Sequence, residues 1–119
     1  KNINSVVNQR NENKDIYNFK EVAEKLHVSP KALVKLLHKS IPRFEKDLDN
    51  LYDAIMSNET EEIGQLGHKL KGAFYNYQLH EMGDLAKQIE QGIKDEKEII
   101  FLDLYENIKI KLEKIKSIL

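Results

Sequence analysis

The chain has 119 residues, no cysteine, a formal net charge of −1 and a charged fraction of 33 %. This length fits one domain that buries roughly two-thirds of the surface of its unfolded chain. The lack of cysteine excludes disulfides and thiolate zinc sites and fits a reducing compartment, so we expect a cytoplasmic protein. The balanced charge gives no reason to expect nucleic acid, and no apolar run approaches the ~20 residues needed to cross a membrane.

The first part of the chain predicts a polar segment followed by a short helix. Two prolines and five glycines in the whole chain favour a nearly all-helical protein without a sheet. Residues 1–15 are mostly polar and are predicted to be a lead-in or linker, with a short docked helix as the alternative. A helix then begins with a capping-box pattern, because Asn18 precedes Glu21 by three residues. Ser29 and Pro30 start the next helix, since Ser caps helices and Pro suits the first helical position.

The second predicted helix is long and runs from about Pro30 to Met56. Its apolar residues recur every three or four positions: Leu33, Leu37, Ile41, Phe44, Leu48, Leu51 and Ile55. This phase is the same on both sides of Pro42. We therefore expect one continuous helix that bends at the proline, where a backbone hydrogen bond is lost.

Three more amphipathic helices are predicted, at about Glu59 to Tyr77, Leu79 to Lys94 and Glu98 to Ile118. Asn58 with Glu61 three residues later repeats the capping pattern before the first of them. Short polar links between long amphipathic helices favour antiparallel neighbours. The predicted fold of residues 16–119 is therefore all-α: a monomeric antiparallel four-helix bundle with an additional N-terminal helix.

One histidine on the third predicted helix stands apart from the core positions. At ~100° per residue, one face of this helix carries Ile63, Leu66, Gly67, Leu70, Phe74 and Tyr77. His68 points roughly 150° away from that face. Its neighbours one turn away on either side are Gly64 and Gly72, and Lys69 and Lys71 add positive charge beside it. The pattern predicts an exposed imidazole with no side chain one turn before or after it, so that another macromolecule can reach the ring.

These residues carry a family resemblance. His68-Lys69-Leu70-Lys71-Gly72 resembles the His-x-Leu-Lys-Gly signature of bacterial histidine-containing phosphotransfer (HPt) domains. The flanking segments are similar as well, from Ile55 to Glu61 and from Met82 to Glu90, where Glu90 matches a recurrent acidic position. One departure is Gln78, which stands where the family usually has glycine.

The resemblance implies a function and partners. HPt domains exchange a phosphoryl group with the aspartate of a response-regulator receiver domain, in relays that start from a sensor or hybrid histidine kinase. It implies that His68 is the phosphoryl acceptor, with Lys69, Lys71 and Gly72 completing the reacting site. The same helical face offers a receiver-binding surface formed by Glu61, Gly64, Gln65 and Tyr75.

The chemistry of an imidazole fits this role. A neutral ring nitrogen is a nucleophile that can attack the phosphorus of an acyl phosphate. The chain has no glycine-rich phosphate loop, Walker lysine or paired acidic metal site. We therefore expect a phosphocarrier without a cofactor, a metal or ATP-dependent kinase activity of its own, with Mg²⁺ on the partner receiver only. Two alternatives stay open: an HPt-like scaffold that binds a receiver or kinase without carrying phosphate, and an unrelated helical adaptor.

Overall fold

The described part of the chain is entirely helical. The computed structural model describes residues 17–95 and 100–119, and these form five helices and no strand. The helices are α1 (Phe19–Leu26), α2 (Pro30–Met56), α3 (Thr60–Asn76), α4 (His80–Lys94) and α5 (Phe101–Ser117). The predicted lead-in, residues 1–15, lies outside the described residues. So does the predicted start of the last helix at Glu98, while Ile100 is extended and α5 begins one residue later.

Helices α2 to α5 close into a four-helix bundle. Within the bundle each helix packs on two others: α2 contacts α3 and α5, and α4 contacts α3 and α5. Among the described helices, α1 packs on α2. Side-chain pairs show that neighbouring helices are antiparallel, because the residue numbers rise along one helix as they fall along the other. The pairs are Asp47–Lys69 and Ser40–Tyr77 at the α2–α3 contact, His68–Glu90 and Tyr75–Asp84 between α3 and α4, and Glu45–Lys116 and Tyr52–Tyr105 between α2 and α5. The predicted all-α antiparallel four-helix bundle with an additional N-terminal helix is confirmed.

The core follows the predicted apolar stripes. Six of the seven stripe positions of α2 are buried, and Ile55 is half-buried. Phe44 of α2 meets the fully buried Phe74 of α3 edge to face, with ring centroids 5.1 Å apart. The predicted continuity of α2 through Pro42 is also confirmed, since the helix runs unbroken from Pro30 to Met56. None of the described helices is long and apolar enough to cross a membrane.

Side-chain caps begin α1 and α2 as predicted. Oδ1 of Asn18 accepts a hydrogen bond from the backbone N–H of Glu21 at 3.0 Å, and Oγ of Ser29 accepts one from Ala32 at 3.0 Å. The hydroxyl of Tyr17 donates to the carbonyl of Tyr77 at 2.6 Å. This bond ties the start of α1 to the end of α3.

Three helices end in the same Schellman motif. A left-handed residue follows each helix, with φ of 61° at His27 directly after α1, and of 54° at Asn58 and 60° at Gln78 two residues after α2 and α3. In each motif the next backbone N–H bonds back to a carbonyl five residues earlier: Val28 to Ala23, Glu59 to Ala54 and Leu79 to Phe74. The last turn of each helix is thereby satisfied without a glycine.

The predicted cap at Asn58 is wrong. Asn58 ends α2 instead of starting α3, and the N-cap position of α3 is held by Glu59 without a side-chain cap bond. The link between these helices is short, so one residue must turn the chain through a left-handed conformation. Asn tolerates that conformation better than most residues, which explains its presence there.

Candidate functional site

His68 lies on the solvent-facing side of α3. Its neighbours Leu66, Gly67 and Leu70 face inward and are buried, whereas the imidazole side chain is 70 % exposed. The predicted exposure of this ring is therefore present in the structure. The ring is not free, however, because one of its nitrogens contacts a side chain of α4.

Glu90 of α4 holds the imidazole. Its Oε2 lies 2.7 Å from Nδ1 of His68, and its Oε1 accepts a hydrogen bond from Nζ of Lys71 at 2.7 Å. Nζ of Lys94 lies 3.6 Å from Oε2. The Glu90 side chain is only 7 % exposed, so a buried carboxylate joins three side chains that reach the surface.

This carboxylate is ionised. The hydrogen bond from Lys71 is the main reason why the pKa of Glu90 falls from 4.5 to about 2. Burial acts in the opposite direction, while the His68 hydrogen bond and the charges of Lys71 and Lys94 lower the pKa further. At neutral pH Glu90 is consequently a pure hydrogen-bond acceptor.

An ionised partner decides which ring nitrogen carries the proton. A carboxylate has no proton to give, so Nδ1 of His68 is assigned as the donor to Glu90. In the neutral ring the other nitrogen, Nε2, then has its lone pair free. The geometry therefore leaves Nε2 as the ring nitrogen with a free lone pair in an exposed imidazole.

A glycine brings the two helices close enough for this contact. A Cβ at Gly67 would lie 3.1 Å from the backbone nitrogen of Glu90 and 3.1 Å from Cγ2 of Ile89. Such distances are tighter than a packed side chain normally tolerates. The absence of a side chain beside His68 thus lets α3 lie directly against the turn of α4 that carries Glu90.

Both predicted lysines bind buried carboxylates. Lys71 is 26 % exposed and contacts Glu90, whereas Lys69 is 60 % exposed and its Nζ lies 3.2 Å from Oδ1 of the buried Asp47 on α2. Lys69 and Lys71 thereby link α3 to the helices on its two sides. Positive charge flanks His68 as expected, but each ammonium group already has a partner.

The two predicted glycines have different surroundings. A Cβ at Gly72 would meet nothing within 4 Å, so the space one turn after His68 is open. A Cβ at Gly64 would lie 3.4 Å from Cγ2 of Ile93, so this glycine lies against α4. The open space around the imidazole is therefore larger on the Gly72 side.

The remaining predicted surface residues lie on the same stripe of α3. Glu61 and Gln65 are exposed. Tyr75 is half-buried, and its hydroxyl donates to Oδ1 of Asp84 at 2.6 Å. Its ring covers Gly83, where an added Cβ would require the ring to move. Tyr75 consequently presents a ring that is held against α4.

Sequence reasoning did not assign site roles to Glu90, Asp47 and Lys94. A readable signal existed for the two carboxylates, because each occupies a core-facing step of its helix. Asp47 follows the buried Phe44 by three residues, and Glu90 follows the buried Ala86 by four. An acidic residue at such a position needs a partner, and here α3 supplies it.

The fold and this histidine together define a class of protein: a helical bundle that carries an exposed, oriented imidazole on its surface. A family model described as Hpt domain matches residues 35–117, and the chain belongs to this family. Membership implies phosphotransfer in phosphorelays, and members typically interact with receiver domains and kinases. No curated protein and no solved structure matches the chain. Within residues 17–95 and 100–119, no group of three or more acidic or histidine side chains could hold a metal ion.

Proposed function

We propose that this domain is a phosphotransfer intermediate in which His68 exchanges a phosphoryl group with the aspartate of a receiver domain. The observation that carries the proposal is the Glu90 carboxylate 2.7 Å from Nδ1 of a 70 % exposed imidazole. This contact orients the ring and leaves Nε2 as its nucleophile.

In the transfer step, Nε2 attacks the phosphorus of the receiver's aspartyl phosphate. The N–P bond forms as the bond from phosphorus to the aspartate oxygen breaks, and the aspartate leaves as a carboxylate. The ring keeps its proton on Nδ1 and so gains positive charge while phosphorylated. Glu90 stabilises that charge through a hydrogen bond that strengthens as the ring becomes cationic. The reverse step returns the phosphoryl group.

The surroundings of His68 support docking of a receiver. The open space at Gly72 admits a partner's active site, and the exposed Glu61 and Gln65 continue the surface along α3. Gly64 and Tyr75 complete the proposed contact surface. We propose that Lys69 and Lys71 offset the phosphoryl charge, that Mg²⁺ belongs to the receiver, and that the domain acts as a monomer.

The test is transfer from phosphorylated receivers of the same genome. We expect an acid-labile phosphohistidine on the wild-type chain and none on His68→Gln, with circular dichroism to show that the variant stays folded. His80→Gln is a matched control for the acceptor, because His80 is exposed and its ring contacts Gln78 and Tyr75 instead of a buried carboxylate. Label retained on folded His68→Gln would place the acceptor elsewhere. Receiver binding without label on the wild type would favour a scaffold.

A further inference from the structure

The charges of α2 are segregated between its two halves. Residues 31–43 include four basic and no acidic residues, whereas residues 45–56 include four acidic residues and one lysine. The helix dipole favours the opposite order, with acids at the N-terminus and bases at the C-terminus. The first turn of α2 has no acidic residue and its last turn no basic residue. The stability of the helix therefore does not explain this arrangement.

The acidic half of α2 borders a pair of tyrosines. The rings of Tyr52 on α2 and Tyr105 on α5 have centroids 5.4 Å apart and are tilted by 46°. Tyr52 is 40 % exposed, and Met56 one turn later is 59 % exposed. Large exposed apolar groups beside an aromatic pair are typical of a protein-binding surface.

Three carboxylates lie close enough to Tyr105 for their charges to act on its hydroxyl. Burial raises the pKa of the Tyr105 hydroxyl most, and the negative charges of Asp49, Glu106 and Asp53 raise it further. All three carboxylates are exposed. We call the set formed by Asp49, Tyr52, Asp53, Met56, Tyr105 and Glu106 the acidic aromatic surface.

The acidic aromatic surface lies on the other side of the bundle from the phosphotransfer site. His68 and Glu90 join α3 to α4, whereas Tyr52 and Tyr105 join α2 to α5. Since α3 and α4 lie opposite the α2–α5 pair in the closed bundle, a partner at one site leaves the other accessible.

We propose that the acidic aromatic surface docks a basic, partly apolar segment of a protein partner. A Lys or Arg side chain of the segment lies over the Tyr52 and Tyr105 rings, where the ring faces and the nearby carboxylates attract a cation. An apolar neighbour of that cation packs on Met56. An acidic segment is repelled by the same carboxylates. The surface thus selects its partner by charge and anchors it by aromatic contact.

The test is an NMR titration of the full chain with a synthetic amphipathic peptide that has Leu on one helical face and Arg on the other. The control peptide has Glu in place of Arg. We expect amide shifts near Tyr52 and Tyr105 with the Arg peptide, none near His68, and no binding of the Glu peptide. The double substitution Asp49→Lys with Asp53→Lys should weaken binding at least about tenfold.

Two further variants test whether binding depends on this surface or only on the net charge of the chain. Glu21→Lys with Glu24→Lys makes the same change of charge on the exposed face of α1, and it should leave binding within about twofold of the wild type. Tyr52→Ala should weaken binding while the urea midpoint stays near that of the wild type. The proposal would be overturned if both double variants lost affinity equally, or if the amide shifts mapped away from Tyr52 and Tyr105. Self-association of the chain that the Asp49→Lys, Asp53→Lys variant abolishes would assign the surface to a second copy instead.

Discussion

Glu90 and His68 lie 22 residues apart in the sequence, yet Oε2 of the glutamate lies 2.7 Å from Nδ1 of the histidine. The buried side chain of Glu90 thereby orients the exposed imidazole of His68. Rotation of the imidazole would break a hydrogen bond to an ionised acceptor, which is worth about 1.5–3 kcal/mol. The contact therefore favours one orientation of Nε2, the nitrogen that we propose to be the phosphoryl acceptor.

Changing Glu90 should separate orientation from charge. Glu90→Gln keeps an oxygen that can accept from Nδ1 but removes the negative charge, and we expect transfer to His68 to slow by roughly tenfold, the difference between a charged and a neutral hydrogen bond. Glu90→Ala removes both and should slow transfer further. The measurement is single-turnover transfer from a phosphorylated receiver, with ¹⁵N spectra of the His68 ring to report which nitrogen is protonated.

The matched control is Glu81→Gln on the same helix, an exposed residue that pairs with Lys111. It should transfer at the wild-type rate. If Glu90→Ala left both the rate and the proton position at His68 unchanged, the orienting role of Glu90 would be refuted.

The sequence predicts the helices and the position of His68 because both depend on local periodicity. The buried stripe of α2 and the exposure of His68 follow from the residue spacing along single helices. The bond from His68 to Glu90 does not, because it depends on how closely α3 and α4 approach at Gly67. The prediction for Asn58 is wrong for a related reason: the same residue type caps a helix start and tolerates the left-handed turn at a helix end.

Gly72 offers a test of the open space beside His68. Gly72→Gln should block transfer, since the new side chain projects into the space that a receiver must enter. Stability should hold or rise by up to ~1 kcal/mol, because Gln is a better helix former than Gly and its Cβ meets nothing within 4 Å. Transfer rates and urea unfolding measure the two effects.

Gly67→Ala is the matched glycine variant. Its Cβ would press on the backbone nitrogen of Glu90 at 3.1 Å, so we expect a loss of ~1–3 kcal/mol from overpacking. An unchanged transfer rate in Gly72→Gln would show that the open space has no role.

Gln78 should be a site of easy stabilisation. Its φ of 60° is left-handed, and an L-residue pays roughly 1–2 kcal/mol there that Gly does not. Part of this gain is offset by the greater freedom of Gly in the unfolded chain. Gln78→Gly should therefore raise the free energy of unfolding by about 0.5–1 kcal/mol, measured by urea denaturation. Asn58→Gly, at a φ of 54°, should gain less because Asn tolerates this conformation. A free energy of unfolding of Gln78→Gly that is equal to or below that of the wild type would contradict the expectation.

Acid should remove the stabilising contribution of Glu90. Its folded pKa of about 2 is below its ordinary value of 4.5, so folding favours the ionised form. The contribution is therefore fully present above about pH 4.5 and is lost as the pH falls through about 2. Glu90→Gln has no such group, so the difference in free energy of unfolding between wild type and variant should shrink over this interval. Urea unfolding of both proteins from pH 7 downward measures the difference.

Lys94→Gln should raise the folded pKa of Glu90 only slightly, because the Lys71 hydrogen bond is the largest cause of the lowered pKa. Parallel stability curves for wild type and Glu90→Gln down to about pH 2 would show that the carboxylate is not stabilised by folding.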